Sequence, residues 1–319
     1  MGIDISYLLW LQDLRNAIGG IFDEVFNMLS KISVEVIIML PFLIYWGCDK
    51  KWGYRFMAIS SVGEVLNGVI KLTACAYRPW IRSDLVQPAG DSKVAATGYS
   101  FPSGHTCRAT QMYGATALWQ WNKRRWLGIV CIVGIVLTGF SRNWLGVHTP
   151  QDVIVGICET VLLIWVIGLV TNAVKDNNRA IDILSVVGIG AVIAVIIYIL
   201  FKPYPMDYID GKLIVDPKTM LKDCFNGCGC LIGLLIGGYI ERHFVHYEIP
   251  HGHKNLPMLA GVGVGIVFCW YTYLRKAVFY VMLGADWGGF VSTMLMMIFA
   301  VAVYPLIIRH YTKEESEIK

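Results

Sequence analysis

Residues 180–201 read AIDILSVVGIGAVIAVIIYILF, an apolar run interrupted by a single charge at Asp182. A bilayer core takes about 20 apolar residues per helix, because every backbone N–H and C=O must be paired inside the segment. This run therefore predicts a spanning helix. Working outward, eight further stretches approach the same length, at approximately 33–48, 54–75, 104–121, 125–142, 149–173, 222–241, 256–274 and 289–309. The stretch 104–121 is the least apolar and 33–48 is short. Together they predict an all-α, polytopic transmembrane helix bundle of about nine spans.

Composition agrees. The chain is 56% hydrophobic and 16% charged, with a mean hydropathy of +0.56, whereas a soluble domain carries about a quarter charged residues. The net charge of +4 is spread along the chain, and the absence of a dense basic stripe excludes a nucleic-acid partner. Nine cysteines, odd in number and mostly inside apolar runs, read as small packed hydrophobes and not as a disulfide framework. Cys224, Cys228 and Cys230 are spaced more loosely than zinc pairs prefer.

The start of the chain lacks the basic first region and long apolar core of a cleavable signal. In residues 1–32, Leu8, Leu11, Ile18, Phe22, Val25 and Phe26 recur at helical spacing with charges between them, which predicts an amphipathic segment lying in the membrane interface. Gly2 is a poor acylation site, since a membrane segment already follows it. Basic clusters set the orientation. Lys50, Lys51 and Arg55 follow the first span, Lys123, Arg124 and Arg125 the third, and Lys175 and Arg179 the fifth. Short basic loops stay cytoplasmic, so the chain start and the second and fourth connections are expected outside, and the tail KEESEIK inside.

Three segments near the outer ends of these spans carry polar groups that are costly in a membrane. In Lys71-LTACAY-Arg78-Pro79 the two cations are seven residues apart, which on one helix puts them on a shared face roughly 10 Å apart, with Pro79 stopping the helix. In Ser100-Phe101-Pro102-Ser103-Gly104-His105, a glycine-containing turn opens a helix, so free N–H groups and a positive helix end lie beside a histidine. In Ser141-Arg142-NWLGV-His148-TPQ-Asp152, Thr149 and Pro150 read as an N-cap and first-turn proline. Asp152 then falls one helical turn after His148, where it can hold the ring. Each intramembrane charge costs on the order of 3 kcal/mol at the bilayer centre, so packing alone does not explain the set. A lone cation here would be read as snorkelling to the headgroups.

These segments resemble the type 2 phosphatidic acid phosphatase (PAP2) superfamily, which pairs KxxxxxxRP, PSGH and SRxxxxxHxxxD; all three patterns occur in order from Lys71 to Asp152. The resemblance implies a six-helix PAP2-like core, placed here within residues 33–201, with residues 202–319 as additional helices. It implies His148 as covalent nucleophile, Asp152 as the residue fixing its tautomer, and His105 as general acid and then base. Lys71, Arg78, Ser103, Gly104 and Arg142 would hold the phosphoryl oxygens. No metal and no other cofactor is expected, because fixed cations take that part. The implied substrate is a lipid phosphate or diphosphate, such as phosphatidate, a polyprenyl diphosphate, phosphatidylglycerol phosphate or a sphingoid phosphate. It would be met on the extracytoplasmic side of a plasma (inner) membrane, with membrane lipids as the surrounding partners.

Other readings stay open. Glucose-6-phosphatases of the same superfamily also have nine spans, so a soluble sugar phosphate is the second enzymatic reading. A transferase passing the phosphoryl group to an alcohol is a third, and a non-enzymatic lipid binder or transporter the alternative of a different class. A haloperoxidase is disfavoured because those relatives are soluble. His243, His246, His251 and His253 read as a solvated loop in preference to a zinc site lacking further ligands. Glu35, Glu64 and Glu159 fit either a supporting role around the site or simple charge pairing. Arg108, one turn beyond His105, either extends the phosphate site or pairs with one of these acids. The run Gly261–Gly265 reads as helix packing. Oligomeric state has no signature in the sequence.

Overall fold

The computed structural model describes residues 2–175, 177–209 and 211–317, without the side chains of Glu35, Val36, Ala95 and residues 313–317. Glu35 and the KEESEIK tail thus fall outside the described side chains. Among the described residues the only strands are Tyr208–Ile209 and Lys212–Leu213, which pair antiparallel.

Among the described residues, eight helical stretches are long and apolar enough to cross a membrane: Asp23–Gly47, Lys50–Arg82 (interrupted at Cys75–Arg78), Arg125–Trp144, Pro150–Val174, Asn178–Phe201, Pro217–Val245, Leu256–Leu283 and Ala285–Thr312. Their outward faces carry what lipid requires. On Asn178–Phe201, for example, Val186 and Val187 are 70% and 62% exposed, an apolar surface a water-soluble protein would cover. The ninth expected stretch, 104–121, is helical over 104–120, through Gly104–Ala109, a wide π turn Thr110–Gly114, and Ala115–Gln120. It lacks the apolarity of the others because it is an interior helix, with Thr106, Thr110 and Gln111 fully buried. It still runs about 25 Å at 1.5 Å per residue, antiparallel to Arg125–Trp144. A Cβ at Gly139 would lie 3.7 Å from Thr106, one at Gly134 3.2 Å from the Tyr113 ring, and one at Gly128 2.6 Å from the Trp121 ring. Small residues here let two helices approach closely.

Near the start, Ile3–Ala17 is one helix, and Asp23–Lys31 continues through a π turn, Ile32–Val36, toward Gly47. The first span therefore starts before the stretch 33–48 and takes in residues 23–32 of the segment expected to lie in the interface.

The chain divides into two compact units, each woven from three segments. The first comprises Met1–Ile38, Leu66–Trp165 and Lys202–Leu221; the second comprises Met39–Val65, Val166–Phe201 and Lys222–Lys319. The first unit is centred on Leu11, Ala89, Ala96, Trp144, Leu145 and Val147, with Phe26 and Phe140 packed against them. The N-terminal helix is tied to this core by polar bonds. Arg15 donates to the carbonyls of Gln87 (2.8 Å) and Trp144 (3.4 Å), Gln12 donates to Leu85 O and accepts from Gln87 N, and Asp4 pairs with Arg82 at 2.7 Å. Ser33 meets Tyr113 and Thr138, each at 3.1 Å.

The second unit has its own core around Tyr45, Trp46, Met57, Leu234, Tyr247 and Tyr304. A π turn at Phe299–Val303 leaves carbonyls that side chains satisfy: Trp46 Nε1 donates to Ala300 O (2.8 Å) and Tyr45 OH to Val301 O (3.0 Å). Glu64 packs against Gly227 in this unit. Lys50 pairs with Glu241 at 2.6 Å, and Arg242 and His243 both bond Asp182. One of the four loop histidines is thus engaged with a carboxylate. Among the described residues no group of three or more His, Cys, Asp or Glu side chains is placed to hold a metal ion. All nine cysteines are free thiols.

Candidate active site

The spacing of Arg142 and His148 follows from how one helix ends and the next begins. Arg125–Trp144 closes with Gly146 in the left-handed region, φ +71°, a conformation that costs glycine little. The chain then folds back so that Val147 N and His148 N both donate to Arg142 O, at 3.2 and 3.3 Å. Asn143 Nδ2 donates to His148 O at 2.9 Å. The next helix starts at Pro150, and Thr149 and Asp152 form a reciprocal cap: Thr149 N donates to Asp152 Oδ2 (2.9 Å) and Asp152 N to Thr149 Oγ1 (3.4 Å). The expected N-cap and first-turn proline are both where the sequence puts them.

This pins the His148 ring. Its Nδ1 lies 3.2 Å from Asp152 Oδ2, and its Nε2 lies 2.8 Å from Arg78 Nη1. A guanidinium only donates, so Nε2 is the acceptor and must be unprotonated; the ring proton is on Nδ1 and donates to Asp152. Burial and the adjacent Arg78 charge push the His148 pKa well below the ordinary histidine range, outweighing the opposing pull of Asp152. His148 and Asp152 are 2% and 4% exposed. The imidazole is thus neutral, with its lone pair on the atom opposite the carboxylate.

Arg78 reaches the ring by a route different from the one its spacing suggests. The helix from Lys50 ends at Ala74, Cys75 turns at φ +47°, and Arg78 is extended (φ −64°, ψ 153°) before the short helix Pro79–Arg82. Lys71 and Arg78 therefore do not share a helical face, and Pro79 opens a helix where it was expected to close one. The cause is local: a proline disfavours helical geometry at the residue before it, while its fixed φ suits a first helical position. Released from the helix, the guanidinium donates to Gly98 O (3.2 Å), Thr97 O (2.9 Å) and Val147 O (3.0 Å) as well as to His148.

Lys71 is also buried, and its ammonium donates to the carbonyls of Tyr99, Ser100 and Pro102 at 3.2, 3.1 and 2.5 Å. It clamps the loop that precedes Ser103. Ser103 N donates to Asp152 O at 2.9 Å, and Ser103 Oγ caps the next helix by accepting from Thr106 N (3.4 Å) and Thr106 Oγ1 (2.9 Å). Gly104 and His105 head that helix, so their N–H groups have no acceptor within it. Arg142 is buried. Its Nη1 donates to Ser30 Oγ at 2.8 Å, and its Nε has no hydrogen-bond partner among the described residues. A buried guanidinium nitrogen without an acceptor marks a place where an oxyanion fits. His105 lies within electrostatic range of Arg142, Arg108, His148 and Arg78.

The structure thus joins Arg78, His148 and Asp152 by direct bonds and attaches Lys71 and Ser103 through the backbone. It also adds residues the motifs do not mark. Ser100 Oγ donates to Asp152 Oδ2 at 2.5 Å and lies 3.4 Å from His148 Nδ1. Asn143 holds the His148 carbonyl. Ser100 stands just before the Pro-Ser-Gly-His run, and that adjacency was the only available signal. Deeper in the unit, Cys107 donates to Glu159 Oε1 (3.0 Å) and Asn67 Nδ2 donates to Cys107 Sγ (3.2 Å), so Glu159 is tied to the helix of Ser103.

Residues 52–179 match the PAP2 superfamily. The chain is 32% identical over 130 residues to the undecaprenyl-diphosphatase of Sulfolobus acidocaldarius, covering 40% of this chain and 60% of that protein. It is 24% identical over 151 residues to the undecaprenyl-diphosphatase BcrC of Bacillus subtilis, covering 46% of this chain and 72% of the relative. With the phosphatidylglycerophosphatase B of Bacillus subtilis it shares 29% identity over 142 residues, covering 40% of this chain and 66% of that one. No solved structure matches the chain significantly.

Proposed function

We propose that this chain, whose residues 52–179 belong to the PAP2 superfamily, is a multi-pass membrane phosphatase that hydrolyses a lipid phosphate or diphosphate through a phosphohistidine on His148. The observation that supports this most is the ring's bonding: Asp152 fixes the proton on Nδ1, leaving the Nε2 lone pair beside Arg78. A neutral imidazole so placed is a nucleophile. Two relatives named for a lipid diphosphate and one named for a glycerophospholipid phosphate favour a lipid substrate.

In the first step the substrate's phosphoryl group displaces Arg78 from Nε2. Nε2 attacks phosphorus, the bond from phosphorus to the leaving oxygen breaks, and His105 gives that oxygen a proton. In the second step His105 takes a proton from water as the water oxygen attacks phosphorus. The N–P bond breaks and inorganic phosphate leaves. Arg78, Arg142 and Lys71, with Ser103 Oγ and Gly104 N–H, hold the phosphoryl oxygens as charge moves across them. Asp152 offsets the positive charge that develops on His148. In this reading residues 33–201 are the catalytic core, the Ile3–Ala17 helix lies in the interface, and residues 202–319 are an addition to the core. The basic loops after the first, third and fifth spans support an extracytoplasmic site in a plasma (inner) membrane.

The test is phosphate release by the purified chain in excess EDTA, across a polyprenyl diphosphate, phosphatidate, phosphatidylglycerol phosphate, a sphingoid phosphate and glucose 6-phosphate. Turnover of at least one lipid, at a kcat/KM well above that for the sugar phosphate, supports the proposal. Preference for the sugar phosphate, or activity that appears only when a divalent metal is restored, overturns it.

A further inference from the structure

Lys202–Leu221 lies beyond the residues that match the PAP2 superfamily, yet it belongs to the same compact unit as the candidate site, while Val166–Phe201 before it and Lys222–Lys319 after it form part of the other. Three of its side chains reach the chain around Arg78. Tyr77, the residue before Arg78, donates its hydroxyl to Asp207 Oδ2. Met220 lies against Gly98, where a Cβ would sit 2.7 Å from its sulfur, and Gly98 O accepts Arg78 Nε. Lys202 Nζ donates to Cys75 Sγ at 3.5 Å, at the turn that releases Arg78 from the helix. The segment therefore touches the chain before Arg78, the turn that aims it and one of the carbonyls that hold it.

We propose that Lys202–Leu221 is a strap that sets the position of Arg78, with Asp207 as a positioning residue acting through Tyr77; this rests on the phosphatase reading of the site. The strap bears on a guanidinium that must pass from His148 Nε2 to a phosphoryl oxygen within each turnover. The Asp207–Tyr77 bond holds the backbone immediately before that guanidinium, and Met220 fixes the carbonyl on its other side. Arg78 meets the phosphoryl group and not the rest of the substrate, so the strap acts equally on every phosphate ester the site accepts.

The experiment uses the full chain with Asp207→Ala, Asp207→Asn, Tyr77→Phe and the Asp207→Ala/Tyr77→Phe pair. For each, kcat and KM are measured on a lipid phosphate and on a short-chain water-soluble phosphate ester, alongside thermal melting. The expected result is a loss of kcat/KM of roughly three- to tenfold for Asp207→Ala and for Tyr77→Phe, equal on both substrates. The pair should lose no more than either single change, and Asp207→Asn, whose amide oxygen still accepts, should recover most of the activity. Unchanged kcat/KM with a lowered melting temperature would reduce the strap to a structural tie. Additive losses would break the link to Tyr77, and a loss confined to the lipid would mean that the strap reads the lipid and does not place Arg78. If wild type releases no phosphate from any ester, the phosphatase reading itself fails. If wild type is active, is silenced by His148→Ala and is indifferent to Asp207→Ala, only the strap is disproved.

Discussion

Replacing Asp152 by asparagine tests the charge on that side chain while sparing its shape. With its amide oxygen in the place of Oδ2, asparagine still accepts from Thr149 N and Ser100 Oγ, so the cap and the start of the Pro150–Val174 helix survive. What is lost is the negative charge 3.2 Å from His148 Nδ1. In the proposed mechanism, the imidazole becomes cationic once Nε2 bonds phosphorus. At an effective dielectric of about 20, a charge pair at this distance is worth about 5 kcal/mol. Both side chains are almost fully buried, so the discount applied to surface pairs does not enter. Some of that energy returns through the weaker bond to a neutral amide, about 1 kcal/mol. The remainder, taken over the range 3–5 kcal/mol, predicts a fall in kcat of roughly 10²–10⁴-fold. The assay is single-turnover and steady-state phosphate release, with melting temperature as the folding control. A loss under tenfold with unchanged melting would show that Asp152 does not stabilise a cationic His148, and the nucleophile assignment would lose its support.

Two more consequences follow from the same geometry. Because burial and Arg78 lower the His148 pKa, the reactive neutral ring persists as pH falls through 6.5, so the acid limb of kcat/KM lies below that value; an acid limb for His148 at or above 6.5 would contradict the Arg78 contact. Sidedness is read with single cysteines at Val94, which is 78% exposed, and at exposed Asn177, with the native thiols replaced. An impermeant maleimide on intact cells should label position 94 and spare position 177, and the reverse pattern would put the site on the cytoplasmic leaflet.

What could be read from the sequence, and what could not, follows the range of the forces involved. Spanning helices are dictated by local composition, so 180–201 needs no tertiary information. The 104–120 helix tests that rule, because its polar residues are tolerated only by burial against Arg125–Trp144, a long-range fact. The cap at Thr149 and Asp152 is likewise local, and it was legible. Helical periodicity puts Lys71 and Arg78 on one face only if it runs on through Cys75, where the chain in fact turns. The effect of Pro79 on the residue before it was the available warning. Ser100 and Asp207 escaped for a different reason: each acts on a partner more than 50 positions away, Asp152 and Tyr77, and no spacing rule reports such a pair. The motif residues themselves stood out because a membrane makes unexplained charges expensive.

The covalent step on His148 is the claim on which the rest depends. The direct measurement is rapid acid-free quenching of the full chain during turnover of a ³²P-labelled lipid phosphate or diphosphate, followed by mapping of the protein-bound label. The account predicts label on His148, stable to alkali and lost in acid, and absent from His148→Ala. Label on another residue, or undiminished phosphate release by His148→Ala, would contradict it.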